Sequence, residues 1–578
     1  MTERRSSVSV APEQTVKNIV IVGGVAAGMS AAARARRLDE QANIIVLERG
    51  EHVSFANCGL PYFVGGEIAD RESLLLNTPE SLRAALDLDV RVNHEVVGVD
   101  AAAKRVSVRG AQEAFELPYD ALILAPGAVA ARPPIDGLDS PRVRTLRTVA
   151  DAIALRERVE GSAAGSAEAP ARHAVVLGAG FIGVEAAEAL RLQGLQVDLI
   201  EFAPHVLPPL EREIAAGVTA ELRRLGIEVR AGVAAQAIEH GVEHDVVVLS
   251  DGRSLEADLI VLSVGVRPDT AVFEASGVVC ERGAMVVDAH GRTNLEGVYA
   301  AGDAVISIDR VTGIRRPVAL AGPANRAGRQ IADHILLGER AREIPTAVGT
   351  AIVRVGELTA AMTGANRASL EQAGIEHETL HLHPAQHAGY FPGAEQMALV
   401  VHIRKGDGVL LGAQGLGKQG VDKRIDVLAT AIRAGFAVED LIDLDLAYSP
   451  VYGSAKDPVN MIGMVGANVI DGVLQLWYAE EWESVCDSAL ILDVRSKAEF
   501  AAGHLPGALH VPHTELRGRI EEVRAAAEGR PVRALCGSGV RSHIANRVLS
   551  QAGFDSASLS GGMLTLRAVL GEGVLVTG

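Results

Sequence analysis

The feature that most constrains this chain is a unit that occurs twice: a short β-branched run, a glycine-rich turn, a helix-forming stretch, and a second β-branched run ending on glutamate. The first copy passes from Asn18-Ile19-Val20-Ile21-Val22 through Gly23-Gly24-Val25-Ala26-Ala27-Gly28 and an alanine-rich stretch to Ile44-Ile45-Val46-Leu47 and Glu48. The second passes from His173-Ala174-Val175-Val176-Leu177 through Gly178-Ala179-Gly180-Phe181-Ile182-Gly183 to Val197-Asp198-Leu199-Ile200 and Glu201. Apolar runs that stop at glycine and give way to helix formers predict strand, turn and helix. In such a turn the glycines permit a tight bend, close approach of a pyrophosphate and close helix packing, while the helix N-terminus stabilises negative charge. Two βαβ units suited to dinucleotides are therefore predicted. Glu201 should accept from a ribose 2′-hydroxyl and repel a 2′-phosphate, which favours NADH over NADPH. Glu48 holds the same place in the first copy, which departs from the pattern only at Val25, where the middle glycine should stand.

At 578 residues the chain has room for about four domains. Its 48% apolar and 22% charged residues fit ordinary globular usage and argue against wholesale disorder, collagen-like repeats or coiled coil. A formal net charge of -18 opposes sequence-independent binding to nucleic acid or an anionic membrane. No apolar run approaches the ~18 residues that span a bilayer, and the first residues lack the apolar core of a signal peptide, so a cytoplasmic protein is expected. The four cysteines, Cys58, Cys280, Cys486 and Cys536, form no CxxC pair, which speaks against a disulfide framework or a cysteine-rich zinc site. No metal is expected, because His383, His387 and His504 lack ligand spacing. His504 reads as structural, and Cys280 and Cys486 as packing residues. The small-residue stretch 161–170 reads as a flexible surface loop.

Near residue 300, Val298-Tyr299-Ala300-Ala301-Gly302-Asp303-Ala304 resembles the second FAD signature of two-dinucleotide flavoproteins, in which the aspartate hydrogen-bonds the ribityl chain. Together with the first glycine turn it implies FAD, and Arg49, Ala304 and Gly265 complete the expected cofactor set. Ser54-Phe55-Ala56-Asn57-Cys58-Gly59-Leu60-Pro61-Tyr62, Gly349-Thr350-Ala351-Ile352 and Ala455-Lys456-Asp457-Pro458-Val459-Asn460 make the chain similar to coenzyme A-disulfide reductases, the single-cysteine branch of the pyridine nucleotide-disulfide oxidoreductases, over about residues 17 to 470. Cys58 has no nearby cysteine partner, the next being Cys280. A lone redox cysteine cycles through a sulfenate or a mixed disulfide with an outside thiol, so the substrate should contain an S–S or O–O bond. The resemblance implies a coenzyme A site at Ser30, Arg34, Arg37, Ser54, Asn57, Asn325 and Lys456. It also implies a homodimer in which Tyr390 and Tyr448 of one subunit approach the active sulfur of the other and donate hydrogen bonds to a leaving thiolate. The sequence departs from the family at Phe391, where tyrosine is common, and at Asn77, where a basic residue is frequent.

From about residue 471 a second resemblance, to rhodanese domains, rests on Leu492-Asp493-Val494-Arg495-Ser496, Glu499-Phe500, Gly503-His504-Leu505-Pro506-Gly507-Ala508 and Cys536-Gly537-Ser538-Gly539-Val540-Arg541-Ser542. The short Cys536–Arg541 loop should present inward N–H groups to a thiolate or persulfide, with Arg541 and the helix dipole lowering the cysteine pKa. The expected fold is α/β: a flavin domain at 17–145 and 272–348, a nicotinamide domain at 146–271, an α+β dimerisation domain at 349–470, and a rhodanese domain at 471–578, after a polar tail at 1–16. The expected function is FAD-dependent, NADH-driven reduction of coenzyme A persulfide, polysulfide or coenzyme A disulfide at Cys58, with Cys536 carrying sulfane sulfur. The alternatives are an NADH oxidase or peroxidase and a non-catalytic redox sensor.

Overall fold

The computed structural model describes residues 18–161 and 170–577; the expected polar tail and most of the expected loop, residues 162–169, lie outside the described residues. The first βαβ unit opens a parallel five-stranded sheet in the order Val298–Ala300, Ala121–Leu124, Asn18–Val22, Asn43–Leu47, Asp89–Arg91. Its central strand is buried from Ile19 to Val22, as a continuous apolar run in a parallel sheet should be. Helix Ala26–Leu38 packs against helix Ala321–Leu337 so closely that a Cβ on Gly328 would lie 2.0 Å from the Ala27 carbonyl oxygen. Within the basic run at the end of the first helix, Arg36 is buried and donates to the carbonyls of Leu86, Asp39, Glu40 and Asp87. That arginine closes off backbone acceptors, leaving Arg34 and Arg37 for the surface.

The second unit builds another parallel sheet, in the order Ile227–Ala231, Gln196–Glu201, His173–Leu177, Leu259–Leu262, Val143–Arg144. Val143–Arg144, on the flavin side of the expected division at 145/146, is its edge strand. A short antiparallel pair, Ala128–Ala130 with Val266–Pro268, ties the two units together. Residues 351–417 form an antiparallel sheet in the order Ala351–Val355, Leu358–Gly364, Leu410–Gly417, Ala398–Arg404, His377–Leu382, covered by helix Val421–Ala434. The last sheet is parallel, in the order Leu476–Trp477, Ser556–Leu559, Val532–Leu535, Leu490–Asp493, Leu509–His510. No helix among the described residues is long and apolar enough to cross a membrane.

The C-terminal unit is seated on the rest of the chain by buried polar groups. His381 bridges Glu213 and Ser560, each at 2.8 Å. Arg367 joins Glu213 at 2.8 Å and Glu480 at 3.1 Å. The Tyr478 hydroxyl donates to Glu378 at 2.9 Å, and His383 pairs with the Thr565 hydroxyl at 2.9 Å. Burial drives the His383 pKa down to about 4, which makes it a neutral partner. Burial alone would raise the Glu213 carboxyl, but the hydrogen bond to His381 and the nearby Arg367 charge outweigh it and hold the pKa at about 2.

Because Glu213 titrates below the ordinary carboxylate value of 4.5, the stability it contributes is complete above that value and is lost as pH falls through about 2. Removing one member of a buried ion pair costs about 3–5 kcal/mol. Glu213→Gln should therefore lower the melting temperature of the C-terminal unit at neutral pH and abolish its acid transition between the two values. Both tryptophans, Trp477 and Trp482, lie in that unit, so their fluorescence reports the outcome.

Candidate functional site

A cavity of about 1490 Å³ lies between the first two sheets and is lined by both glycine turns, both strand-end glutamates, Gly265, Asp303 and Cys58. Gly23 and Gly178 have φ of +99° and +97°, and their added Cβ atoms would strike the backbone of Ala125 and Ser263. The last glycines act differently: a Cβ on Gly28 would lie 1.9 Å from the Gly23 oxygen, and one on Gly183 would lie 1.8 Å from the Gly178 oxygen. The middle position has neither restriction. Gly180 has φ −71° with no atom within 4 Å of its added Cβ, and Val25 has φ −116°, so a β-branched residue is tolerated there. The departure at Val25 thus leaves the turn intact, and the open space beside Gly180 suits a close-lying diphosphate.

Glu48 and Glu201 sit at the strand ends as expected, and each carboxylate also accepts backbone N–H groups: Gly24 and Gly50 for Glu48, Ala179 and Ala203 for Glu201. Asp303 lies in the one-turn segment Gly302–Ala304, caps no helix and accepts from Arg147 at 3.0 Å. Ala304 is buried behind it. Arg49 lines the cavity and pairs with Asp269. The cradle, the two acids and Asp303 fit the phosphate, ribose and ribityl groups of two dinucleotides.

Cys58 sits in the single turn Asn57–Gly59, just before the short helix Leu60–Val64, and is the one cysteine among the described residues lining the cavity. Its sulfur is open to the cavity, yet the surrounding walls still desolvate it and push the thiol above its usual range. Glu185 adds to that rise and Arg147 opposes it. With its side-chain amide turned so that oxygen and nitrogen exchange places, Asn57 donates to the Arg147 carbonyl at 3.0 Å and accepts from the Arg147 guanidinium at 3.3 Å.

The expected coenzyme A positions fall into three groups. Ser30, Arg34 and Arg37 share a face of helix Ala26–Leu38, where Ser30 bonds Asn325 at 2.5 Å, Arg34 pairs with Asp333 at 2.5 Å, and Arg37 is exposed. Ser54 accepts from Asn77 at 3.1 Å, so the residue that replaces the family's frequent basic group contacts an expected ligand position. Lys456 is exposed before helix Pro458–Ile470. Tyr390 and Tyr448 are brought together with hydroxyls 3.2 Å apart, exposed by 76% and 49%. Neither they nor Lys456 line the Cys58 cavity of their own chain.

In the C-terminal unit Cys536 is buried at the end of strand Val532–Leu535. Its sulfur accepts from the Gly539 N–H at 3.2 Å and the Ser542 hydroxyl at 3.4 Å. Arg541 forks onto Glu499 with contacts of 2.7 and 2.6 Å, a pair that holds the Glu499 carboxyl well below the usual range. His504 stacks on Phe500 at 3.7 Å and bonds its carbonyl. Cys280 lies half-buried in the short strand Cys280–Glu281, and Cys486 donates to the Glu483 carbonyl at 3.3 Å. No group of three or more metal-ligating side chains occurs among the described residues.

Sequence reasoning missed three residues of these sites. Glu185 stands two positions beyond Gly183 in the helix of the second turn and lines the same cavity as Cys58. Arg147 comes from a loop without a motif, so only the folded chain shows it. Glu499 was part of a recognised motif, but its pairing with Arg541 is a contact across 42 positions.

Two glycine variants should separate space for ligand from space for packing. Gly180→Ala should keep the melting temperature and weaken NADH binding about tenfold, by intruding on ligand space at about 1–3 kcal/mol. Gly183→Ala should instead lower the melting temperature itself; calorimetry and NADH titration distinguish the two.

The model for "Pyridine nucleotide-disulphide oxidoreductase" matches residues 17–328, its dimerisation domain matches 350–458, and a rhodanese-like domain matches 478–567. A coenzyme A disulfide reductase of Staphylococcus haemolyticus is 33% identical over 451 residues, covering 78% of this chain and 99% of the relative. The crystal structure of reduced Bacillus anthracis CoADR-RHD superposes with a TM-score of 0.93 at 38% identity, covering 97% of this chain and all of that one. An NAD-dependent persulfide reductase from A. fulgidus superposes at 0.87 with 36% identity, covering 95% and 99% of the two chains. The two turns, the cavity between them and its single cysteine are the features of a flavin- and nicotinamide-dependent oxidoreductase, and the chain belongs to the pyridine nucleotide-disulphide oxidoreductase family, with a rhodanese-like domain at its C-terminal end.

Proposed function

We propose that this protein uses NADH to reduce the sulfur–sulfur bond of coenzyme A persulfide, a polysulfide or coenzyme A disulfide at Cys58, and that Cys536 carries sulfane sulfur. The observation that carries this reading is the cavity with one cysteine, which shares its walls with both dinucleotide turns. With no second thiol there, Cys58 exchanges with a thiol that arrives on the substrate. A flavin held at the first turn and Asp303, with a nicotinamide at the second turn, would supply the two electrons. The chain itself attacks the substrate S–S bond through Cys58 Sγ, forms a mixed disulfide and returns to thiolate when that bond is reduced. Arg147 and Asn57 position the reacting turn, while Glu201 at the second strand end favours a free 2′-hydroxyl and hence NADH.

The relatives' names support coenzyme A as the thiol, and Arg34, Arg37, Ser30 and Asn325 offer a polar surface for its phosphate-rich end. The proposed division into flavin, nicotinamide, dimerisation and rhodanese domains agrees with the sheets except at Val143–Arg144, which pairs into the second sheet, and the dimerisation match supports a homodimer. Tyr390, Phe391, Tyr448, Val451 and Tyr452 are large exposed apolar side chains of that unit, the kind of surface a partner covers. In the dimer, Tyr390 and Tyr448 of one subunit would serve the Cys58 site of the other. The loop holding Cys536 presents an N–H and a hydroxyl to sulfur, which suits a persulfide intermediate.

Anaerobic NADH consumption by the FAD-loaded protein should be fastest with coenzyme A persulfide and release sulfide. Faster turnover of the disulfide would make it a thiol-redox enzyme, and activity with oxygen alone would overturn the sulfur reading. Cys58→Ser should abolish thiol-linked turnover while NADH still bleaches the flavin. Cys536→Ser should lose thiosulfate sulfurtransfer and leave disulfide reduction unchanged.

A further inference from the structure

Thiosulfate and an organic persulfide both carry a transferable sulfur, but the first is a dianion and the second bears at most one negative charge. Which of them the Cys536 loop admits depends on the cation it can offer. Within residues 536–542 that cation is Arg541, and its guanidinium is already engaged. Its Nη1 donates to Glu499 Oε2 at 2.7 Å and its Nη2 to Glu499 Oε1 at 2.6 Å. A planar fork of this kind is what arginine presents to the paired oxygens of an oxyanion. The two carboxylate oxygens of Glu499 therefore fill the place that two oxygens of a thiosulfate would take. The pair lies against the loop itself: a Cβ on Gly537, the residue after Cys536, would lie 3.1 Å from Arg541 Nη2 and 3.7 Å from Glu499 Oε1.

Glu499 is held in that position from its own side as well. It stands in the short helix Lys497–Ala501, where its Oε2 accepts from the Ser496 N–H at 3.0 Å and the Ser496 hydroxyl at 2.7 Å, the reciprocal arrangement of a capping box. Both members of the ion pair are partly exposed, so an incoming donor meets them. The neighbouring cations offer no substitute. Arg495 is buried on Asp493 and the Gly503 carbonyl, and Lys497 stands two positions from Glu499, a helical spacing that turns the two side chains apart. Val540, inside the loop, and Ile544, one turn later in helix Val540–Gln551, are exposed and apolar. What surrounds the sulfur is a compensated charge pair and apolar side chains.

We propose that Glu499 sets the donor specificity of the Cys536 loop: by occupying Arg541 it disfavours dianionic donors such as thiosulfate and leaves the loop to organic persulfides. The inference deepens, and rests on, the reading of Cys536 as a carrier of sulfane sulfur. In the loading step the Cys536 thiolate attacks the outer sulfur of R–S–SH, a new S–S bond forms at Cys536, the S–S bond of the donor breaks, and R–S⁻ leaves with the electron pair, giving Cys536–S–SH. The same attack on thiosulfate expels sulfite and leaves Cys536–S–S⁻. Sulfane sulfur changes hands without net oxidation, so neither route needs a further reactant. Glu499 acts through Arg541 and touches no reacting atom, which makes it a positioning residue.

The test loads Cys536 in the full-length, FAD-bound protein without NADH, from thiosulfate or from 2-hydroxyethyl persulfide, and follows the Cys536 persulfide by alkylation and mass spectrometry. Glu499→Gln keeps the capping-box acceptor and removes the charge. At about 20 mM NaCl it should raise the second-order loading rate from thiosulfate about tenfold and that from the persulfide about threefold, because the same field acts on half the charge. Both gains should fade by about 500 mM NaCl, where screening reaches within the site. A purely structural role would lower both rates alike and ignore salt. In the wild type the thiosulfate rate should stay level or rise over the same salt range, a readout that needs no variant to fold. Equal changes for the two donors in Glu499→Gln, or a wild-type thiosulfate rate that falls several-fold with salt, would overturn the role of Glu499 and leave Cys536 standing as a carrier. Failure of both proteins to load from either donor would overturn the carrier reading and the proposal with it.

Discussion

Two carboxylates hold the reductase together at its functional centre. Glu48 accepts from Gly24 at 2.8 Å and from Gly50 at 2.7 Å, and Glu201 repeats the arrangement with Ala179 at 2.6 Å and Ala203 at 2.7 Å. Hydrogen bonds to a charged group contribute about 1.5–3 kcal/mol each, so each carboxylate fastens its glycine turn to the end of the neighbouring strand. The same carboxylates face the cavity. One side chain therefore both sets the turn and meets whatever occupies it, and the two βαβ units are held facing a common space. The Cys58 turn depends on this too, since the Ser54 N–H is anchored on the Gly24 carbonyl at 2.7 Å.

The C-terminal site depends on its seat in a comparable way. Helix Gly562–Leu570 packs on helix Arg212–Arg224 of the second βαβ unit, and the N–H groups of Met563 and Leu564 bond the carbonyls of Cys536 and Gly537. A Cβ on Gly562 would lie 2.5 Å from the Cys536 oxygen, and one on Gly561 would lie 2.7 Å from the His381 Cβ. A single turn is thus wedged between the cysteine loop and the docking histidine. The contact with His381 and the contact with the Cys536 loop are made by neighbouring residues, Gly561 and Gly562. The rhodanese-like unit is a built part of the molecule rather than a bead on a linker.

What could be read from the sequence was what local chemistry specifies. The two turns were legible because glycine, β-branched runs and strand-end acids occur in a fixed order within about 30 residues, and Val25 proved compatible because its backbone has negative φ. Cys58 and Cys536 were legible because their neighbours are distinctive. Long-range pairings were not. Arg147 meets Asp303 across 156 positions and Tyr62 meets Glu185 across 123, and nothing in either local sequence announces the partner. The edge strand Val143–Arg144 escaped because two residues carry no periodicity. The tyrosines are a mixed case: their residue types were expected, and their 3.2 Å contact places both on one exposed surface.

The two cysteines meet the same chemical demand under opposite conditions. A thiolate is the reactive form of each, and Cys536 is enclosed by an N–H, a hydroxyl and a helix start, all in one rigid loop. Cys58 faces an open cavity, with burial and Glu185 raising its pKa and Arg147, already shared with Asp303, as the opposing cation. An exchange site has to admit substrates of varied length, so it cannot be closed around sulfur as the Cys536 loop is. Charge on the Cys58 sulfur then falls to the one cation beside it and to whatever the cavity admits. Openness at Cys58 and enclosure at Cys536 follow from the same physics, the cost of leaving a negative sulfur without donors, applied to a site that must exchange partners and to one that must hold a single atom.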